Sequence, residues 1–354
     1  MSEQRRAEVI GTGLIGGSIA LALRAQGWHV SGIDRAPVMA RRAHELGALD
    51  VVGLDPDASI TFVATPVGVV AGLVHEALER TRGLVTDVGS VKAPMLPLMD
   101  HARFVGGHPM AGSELEGVDG ARADLFEGAT WVLTPTKGTD DAAFAEVRGL
   151  VSSFGADVVA IPPERHDSMV AVVSHIPHLT AATLMRLADE RAVEHRALLR
   201  LAAGGFRDMT RIAAGHPGIW PDICAENREA IVDELGRLID ALTEVRGIVD
   251  RSDRDALVGQ LESARAARTA LPARYSRPEE LAELRVPIPD RKGVLAEITT
   301  LATELDVSIA DIEIAHSSEG PQGVLLLLVE ASVARRLHDG LVAAGYRPVL
   351  RALS

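Results

Sequence analysis

The stretch AEVIGTGLIGGSIALALRAQGWHVSGID, residues 7–34, decides how the chain is read. Ala7–Ile10 is an apolar run of strand length, Leu14–Gln26 carries helical apolar spacing, and His29–Ile33 reads as a second strand. Between the first strand and the helix stand Gly11, Gly13 and Gly16, the spacing GxGxxG in the strand–turn–helix context it requires. Gly11 permits the tight turn, Gly13 lets the backbone approach a pyrophosphate, and Gly16 lets helix and strand pack closely. The N–H groups of Leu14 and Ile15, at the positive end of the helix dipole, complete a cradle for an anion. Asp34 ends the second strand, where a carboxylate accepts hydrogen bonds from ribose hydroxyls and repels a 2′-phosphate. The expected cofactor is therefore NAD, with Arg35 beside the acid leaving some NADP use open. Thr65, Pro66 and Val67 follow a later strand and are expected to line the same cleft, unless they form only an ordinary strand-to-helix turn.

Outward from this stretch, Ser59–Ala64, Gly83–Thr86, Arg103–Val105, Thr130–Thr134 and Asp157–Ile161 are further strand-sized runs, separated mostly by helical stretches. That rhythm predicts a mostly parallel sheet covered by helices, an α/β cofactor-binding domain over residues 1–165. The rhythm then stops. Residues 166–275 have almost no strand signal and are rich in Ala, Leu, Arg and Glu, with Gly204–Gly205, His216–Pro217 and Trp220–Pro221 as punctuation. They predict an all-helical second domain in which Ile223–Val249 forms one long amphipathic helix. A linker is expected at 276–283. Residues 284–354 then read βαββαβ, with strands Leu284–Ile288, Val307–Ala315, Gly323–Glu330 and Arg347–Leu350 and helices Gly293–Leu305 and Val333–Ala344, an α+β ferredoxin-like unit.

Composition narrows the function. A chain of 354 residues is long enough for two or three domains. Its formal net charge of −13 repels phosphate backbones, which argues against nucleic acid as a partner. Cys224 is the single cysteine, so no disulfide forms within the chain, and a reducing cytoplasm is the expected location. The opening MSEQRRAEV runs into the first strand without an apolar signal core. No uninterrupted apolar run approaches the ~18 residues of a membrane span; the longest, Val324–Val329, is strand-sized, and no membrane association is expected.

Two segments at the carboxyl edge of the expected sheet carry chemistry, and open parallel sheets bind ligands at that edge. Asp87-Val88-Gly89-Ser90-Val91-Lys92 follows one strand and His108-Pro109-Met110-Ala111-Gly112 the next. Histidine suits general-base work because its pKa lies near neutrality. Ser90 can orient His108, contact the reacting hydroxyl, or simply cap the helix starting near Val91. Lys92 can hold a carboxylate or the cofactor, and Glu114 can gate the site electrostatically. In the helical region, His175 and His178 of SHIPH stand three apart; no third ligand of suitable character lies near them, so no metal is expected. His175 fits the core or a cap and His178 the cleft. Arg207 and Arg211 of RDMTRIA offer guanidinium forks for a carboxylate.

GTGLIGGS, DVGSVK, HPMAGSE, SHIPH and RDMTRIA together resemble the prephenate/arogenate dehydrogenase family of tyrosine biosynthesis, in the family's order and over nearly the whole chain. The resemblance implies an N-terminal Rossmann domain, a helical dimerisation domain and a homodimer. It implies oxidative decarboxylation of prephenate to 4-hydroxyphenylpyruvate, with His108 taking the proton of the ring hydroxyl and Ser90 assisting. Arg211 would bind a substrate carboxylate, with His178, Glu114 and Trp220 in the substrate pocket; Trp220 is as readily a packing residue. Residues 284–354 resemble an ACT domain, in which Asp290, Gly293, Val294 and Leu295 would meet an amino-acid effector, with tyrosine the natural candidate and an unliganded folding module the alternative.

Three other functions compete with this one. Arogenate differs from prephenate by an amino group in place of a keto group, and the motifs do not separate the two. A β-hydroxyacid dehydrogenase relies on a helical-domain lysine, and residues 166–270 contain none. A non-catalytic sensor of NAD and amino acids would have no need of Ser90, His108 and Arg211 together.

Overall fold

The computed structural model describes residues 4–98, 100–113, 115, 117–194, 198–270, 281–289, 291–316 and 322–352. The N-terminal part runs β1 (Arg6–Ile10), α1 (Leu14–Ala25), β2 (His29–Ile33), α2 (Pro37–Glu45), β3 (Val51–Val52), β4 (Ile60–Val63), α3 (Val67–Arg80), β5 (Leu84–Asp87), β6 (Phe104–Pro109), β7 (Thr130–Thr134), α4 (Asp141–Ser152) and β8 (Asp157–Ala160). These eight strands form one sheet in the order β3-β2-β1-β4-β5-β6-β7-β8. All pairs are parallel except β6 with β7. The first six strands have the dinucleotide-binding order 3-2-1-4-5-6 of a Rossmann domain. β4 is buried along its whole length, as a strand covered by helices on both faces must be. Asp140 caps α4, accepting from Ala143 N at 2.9 Å.

A helical region follows: α5 (Pro163–Val170), a π-helical turn at Ala171–His175, α6 (Ile176–Glu194), α7 (Gly204–Thr210), α8 (Trp220–Glu226), α9 (Arg228–Asp250) and α10 (Arg254–Thr269). The single helix expected over Ile223–Val249 is broken at Asn227, whose backbone leaves helical geometry (φ −108°, ψ 30°). The buried Asn227 side chain donates to Asp167 O at 2.9 Å, so the break turns an amide inward. One compact unit takes the chain up to Val193 together with Thr210–Arg246. Within it Val67 of α3, Val91 of the loop after β5, Ala171, Ile223 and Ile231 form one apolar cluster, so the helices beyond residue 165 pack on α3 and on that loop.

The stretch Pro163–Ala192 has an 18-residue window of mean hydropathy 1.3, long and apolar enough by length and composition to cross a membrane. That departs from the expectation drawn from uninterrupted runs, because the window averages across Ser, Thr and His. The same stretch carries the buried polar residues His166, Asp167 and His175.

The second unit comprises Glu194–Met209 and the chain from Gly247 onward. Its sheet is built from β9 (Leu281–Pro289), β10 (Ile309–His316), β11 (Gln322–Glu330) and β12 (Val349–Ala352) with α11 (Val294–Glu304) and α12 (Ala331–Ala343). The order is β10-β11-β9-β12, antiparallel throughout. Ala282, Leu284, Val286 and Ile288 alternate inward along β9 and meet Val294, Ile298, Leu337 and Leu341 of the two helices. β9 begins at Leu281, three residues earlier than expected, because Ala282 belongs to that buried face.

Candidate active site

The glycine turn sits where the strand order reverses, between the carboxyl ends of β1 and β4, the usual ligand crevice of such sheets. Gly11 has φ +93°, and a Cβ there would lie 2.3 Å from Ala64 O; a Cβ on Gly16 would lie 1.9 Å from Gly11 O. Around Gly13 a Cβ would meet nothing within 4 Å, so the backbone is open to a close-approaching group. No side chain caps α1 and no acid occupies its first turn, which leaves the N–H groups of Leu14 and Ile15 available to phosphate. Asp34 Oδ2 accepts from Thr12 N at 2.9 Å and Oδ1 from Ala36 N at 2.9 Å, which fixes the carboxylate at the end of β2. Thr65 Oγ1 is buried without a partner among the described residues, an orphan that a bound cofactor would satisfy. These residues fit a dinucleotide. Val67 departs from expectation: its side chain is buried in the cluster with Val91 and Ala171 rather than lining a cleft.

His108 stands near the end of β6, buried, at the carboxyl edge. Its Nδ1 lies 2.9 Å from His166 Nε2, and His166 Nδ1 lies 2.7 Å from Asp167 Oδ1. Asp167 is pinned by two backbone donors, Lys92 N on Oδ1 and Ala93 N on Oδ2, each at 2.8 Å. His108 Nε2 has no hydrogen-bond partner among the described residues and is not among the unpaired atoms sealed from solvent. Burial, then the neighbouring His166, Lys92 and His175, push the His108 pKa well below the ordinary histidine range. The ring is therefore neutral at neutral pH, the state a base needs.

Two expectations need correction here. Ser90 does not hold His108: its hydroxyl has no hydrogen-bond partner among the described residues, and the ring is anchored by His166 instead. Lys92 is fully buried and does not reach a ligand. Its ammonium pairs with the buried Asp87 carboxylate and donates to Gly107 O at 2.6 Å, while Asp87 also accepts from Gly89 N and Gly107 N. This pair ties the loop after β5 to β6 directly beside His108. His166, Asp167 and Asn227 were not foreseen. The adjacent His-Asp in PPERHDSM was the available signal, but it lay where the chain was expected to change domain.

His178 stacks on Trp220, with ring centroids 3.7 Å apart and planes 13° from parallel, and burial lowers its pKa. His175 meets Trp220 edge-on at 6.0 Å, and its Nδ1 lies 3.2 Å from Asn227 Nδ2. Burial brings the His175 pKa down to about 4. Arg211 is exposed and makes no hydrogen bond or ion pair among the described residues, so its guanidinium is available. Arg207 is exposed in the second unit and donates from Nε to Ala202 O at 3.1 Å. Gly293 adopts φ +92° ahead of α11, whose first turn has no side-chain cap; Val294 is buried and Leu295 exposed. Glu114 and Asp290 lie outside the described residues. A depression of about 550 Å³ lined by Asp57, Ser59, Arg82, Arg103 and Glu146 lies at the amino edge of the sheet, opposite these groups.

Two family models match the chain: prephenate dehydrogenase, nucleotide-binding domain, over residues 19–160, and prephenate dehydrogenase, dimerization domain, over 162–263. The prephenate dehydrogenase of Bacillus subtilis (strain 168) is 35% identical over 352 residues, covering 94% of each chain. A solved structure of A. aeolicus prephenate dehydrogenase in complex with hydroxyphenyl propionate and NAD+ is 29% identical, with a TM-score of 0.70 over 76% of this chain and 99% of that one. Synechocystis arogenate dehydrogenase is 29% identical with a TM-score of 0.65, over 74% of this chain and 98% of that one.

Proposed function

The chain belongs to the prephenate dehydrogenase family, and we propose that it carries out the NAD-dependent oxidative decarboxylation of prephenate to 4-hydroxyphenylpyruvate. The observation that carries this reading is the neutral His108, anchored through one nitrogen and free at the other, on the sheet edge that holds the dinucleotide turn. NAD+, when bound, supplies the acceptor for the hydride leaving the hydroxyl-bearing carbon. The residues of the chain do the rest. His108 Nε2 takes the proton of the ring hydroxyl as its C–O bond becomes C=O. The bond to the ring carboxylate then breaks, its electron pair aromatises the ring, CO2 leaves, and the phenolic oxygen regains a proton. Aromatisation makes the sequence effectively irreversible. Ser90 contacts the reacting hydroxyl, Arg211 holds a substrate carboxylate, and the His178–Trp220 stack forms an aromatic wall of the pocket.

We also infer a homodimer. The stretch matching the dimerization-domain model includes α9, on which Val232, Ile239 and Leu242 are exposed at heptad-like spacing. For the C-terminal unit we infer a ferredoxin-like ACT domain that takes an amino acid, tyrosine first. Support comes from its βαββαβ sequence and strand order, from Gly293 with the uncapped start of α11, and from the B. subtilis match, whose 94% coverage leaves too little unmatched to omit this unit.

Steady-state NADH formation with prephenate and arogenate, each with NAD+ and NADP+, tests the reaction. Turnover of prephenate with NAD+ is expected. Preference for arogenate would change the side-chain pocket and keep the mechanism, and no turnover of either by folded, NAD-binding protein would overturn the assignment.

A further inference from the structure

We propose that His166 and Asp167 are positioning residues that lock His108 in the tautomer with its proton on Nδ1, leaving the Nε2 lone pair for the substrate hydroxyl. The inference rests on the reading of His108 as the base. It starts from Asp167, whose two oxygens accept from Lys92 N and Ala93 N. An ionised carboxylate only accepts hydrogen bonds, so the nitrogen 2.7 Å away, His166 Nδ1, is the donor. A neutral imidazole that donates at one nitrogen accepts at the other. With His166 the neutral partner, Nε2 accepts, and the group 2.9 Å from it, His108 Nδ1, carries a hydrogen. His108 Nε2 is then left as a lone pair, and it is the nitrogen without a partner among the described residues.

The arrangement serves both ends of the proton transfer. Before it, the Nδ1–H···Nε2 bond fixes the ring's tautomer and orientation. When the O–H bond of the substrate breaks and an Nε2–H bond forms, the His108 imidazolium keeps the same bond to His166, and Asp167 faces the new charge through one ring. Were His166 instead a cation, two N–H groups would point at each other once His108 had taken its proton. The remaining groups around the pair are fixed as well. Lys92 is neutralised by Asp87, and His175, held by Asn227 Nδ2, has its pKa lowered by burial to about 4, so it adds no charge at neutral pH. Rings at 71° with centroids 5.1 Å apart bring the nitrogen of one to the edge of the other, as a ring-to-ring hydrogen bond requires.

The chain thus builds a base–orienter–carboxylate series of the kind used in Ser-His-Asp sites, where exchanging the carboxylate for its amide leaves the geometry intact and lowers kcat about 10⁴-fold through the wrong tautomer. Here the orienter is a second histidine and the reacting proton comes from the substrate, not from an enzyme nucleophile.

The test uses the full-length protein. His166→Leu removes the acceptor, and kcat for prephenate is expected to fall by about 10²-fold or more while KM for prephenate and the affinity for NAD+ change little. His166→Gln, whose amide oxygen can still accept from His108, recovers much of kcat. Asp167→Asn lowers kcat and shifts the acid limb of the kcat profile. Nitrogen NMR of the wild-type protein with labelled histidine is expected to show His108 protonated at Nδ1 and bare at Nε2 at neutral pH, a readout that stands even if a variant fails to fold. Wild-type His108 protonated at Nε2 would overturn the proposal, as would a folded His166→Leu enzyme with unchanged kcat. Absence of wild-type turnover would instead strike the parent reading, because the NMR assignment does not depend on activity.

Discussion

His108 Nδ1 and His166 Nε2 are 2.9 Å apart although 58 residues separate them in the chain. The first belongs to β6 and the second to α5, so the candidate base is braced from outside the sheet that carries it. The apolar cluster of Val91, Ala171 and Ile223 packs the helices that follow His166 against the loop after β5, so it bears on how His108 is held. Substitutions far from the substrate are expected to act through this brace.

Lys92→Met leaves the Asp87 carboxylate buried without its cation. Loss of one partner of a buried pair typically lowers stability by about 3–5 kcal/mol. Denaturant unfolding is expected to show that loss, and the Asp87→Asn/Lys92→Met pair should recover part of it. A large rise in substrate KM with unchanged stability would instead return Lys92 to the binding role first expected of it.

Arg211→Ala removes an exposed guanidinium that has no partner among the described residues, so the fold should tolerate it. Hydrogen bonds to charged groups contribute about 1.5–3 kcal/mol, which corresponds to a rise in KM for prephenate of roughly ten- to a hundredfold. Initial-rate kinetics check this, and an unchanged KM removes the carboxylate clamp from Arg211.

Asp34→Asn should weaken NAD+ and improve NADP+ by removing the charge that repels a 2′-phosphate. The ratio of kcat/KM for the two cofactors is expected to move toward NADP+ by about tenfold, the equivalent of one charge-assisted hydrogen bond. A ratio that stays put places selectivity elsewhere in the turn. The substitution also weakens the bonds to Thr12 N and Ala36 N, so a thermal melt should accompany the kinetics.

Acid should destabilise the first unit through its buried histidines. His175 has a folded pKa of about 4 against an ordinary value of 6.5, so between these pH values the unfolded chain binds a proton that the folded chain refuses. The stability gained by keeping this ring neutral is complete above about pH 6.5 and is lost as the pH falls toward 4. Melting temperatures across that window should decline, and His175→Leu should flatten the slope. A wild-type slope no steeper than that of His175→Leu would show that the ring is not held neutral.

Much of this was legible in residue order because local rules govern it. Glycine spacing after Ala7–Ile10, the acid at Asp34 and the alternation of strand and helix to residue 165 each depend on neighbours within one turn or one strand, and a mostly parallel sheet follows from them, whereas its order β3-β2-β1-β4-β5-β6 and the short strand β3 come only from the structure. The antiparallel β6–β7 pair was not legible, since register between strands is a tertiary property. Nor was the fate of Lys92, because nothing local announces that a charged side chain will turn inward to meet Asp87. The break at Asn227 is similar: apolar spacing runs straight through it, and only the hydrogen bond to Asp167 O, 60 residues away, reveals why the helix stops there.

We propose His108 as the base, with the glycine turn binding the cofactor independently of it. The most direct test compares wild type with His108→Asn, following NADH formation from prephenate alongside NAD+ affinity by calorimetry. Turnover should fall by about 10²–10⁴-fold with NAD+ affinity nearly unchanged. Retained turnover in a variant that still folds and binds NAD+ would show that His108 is not the base.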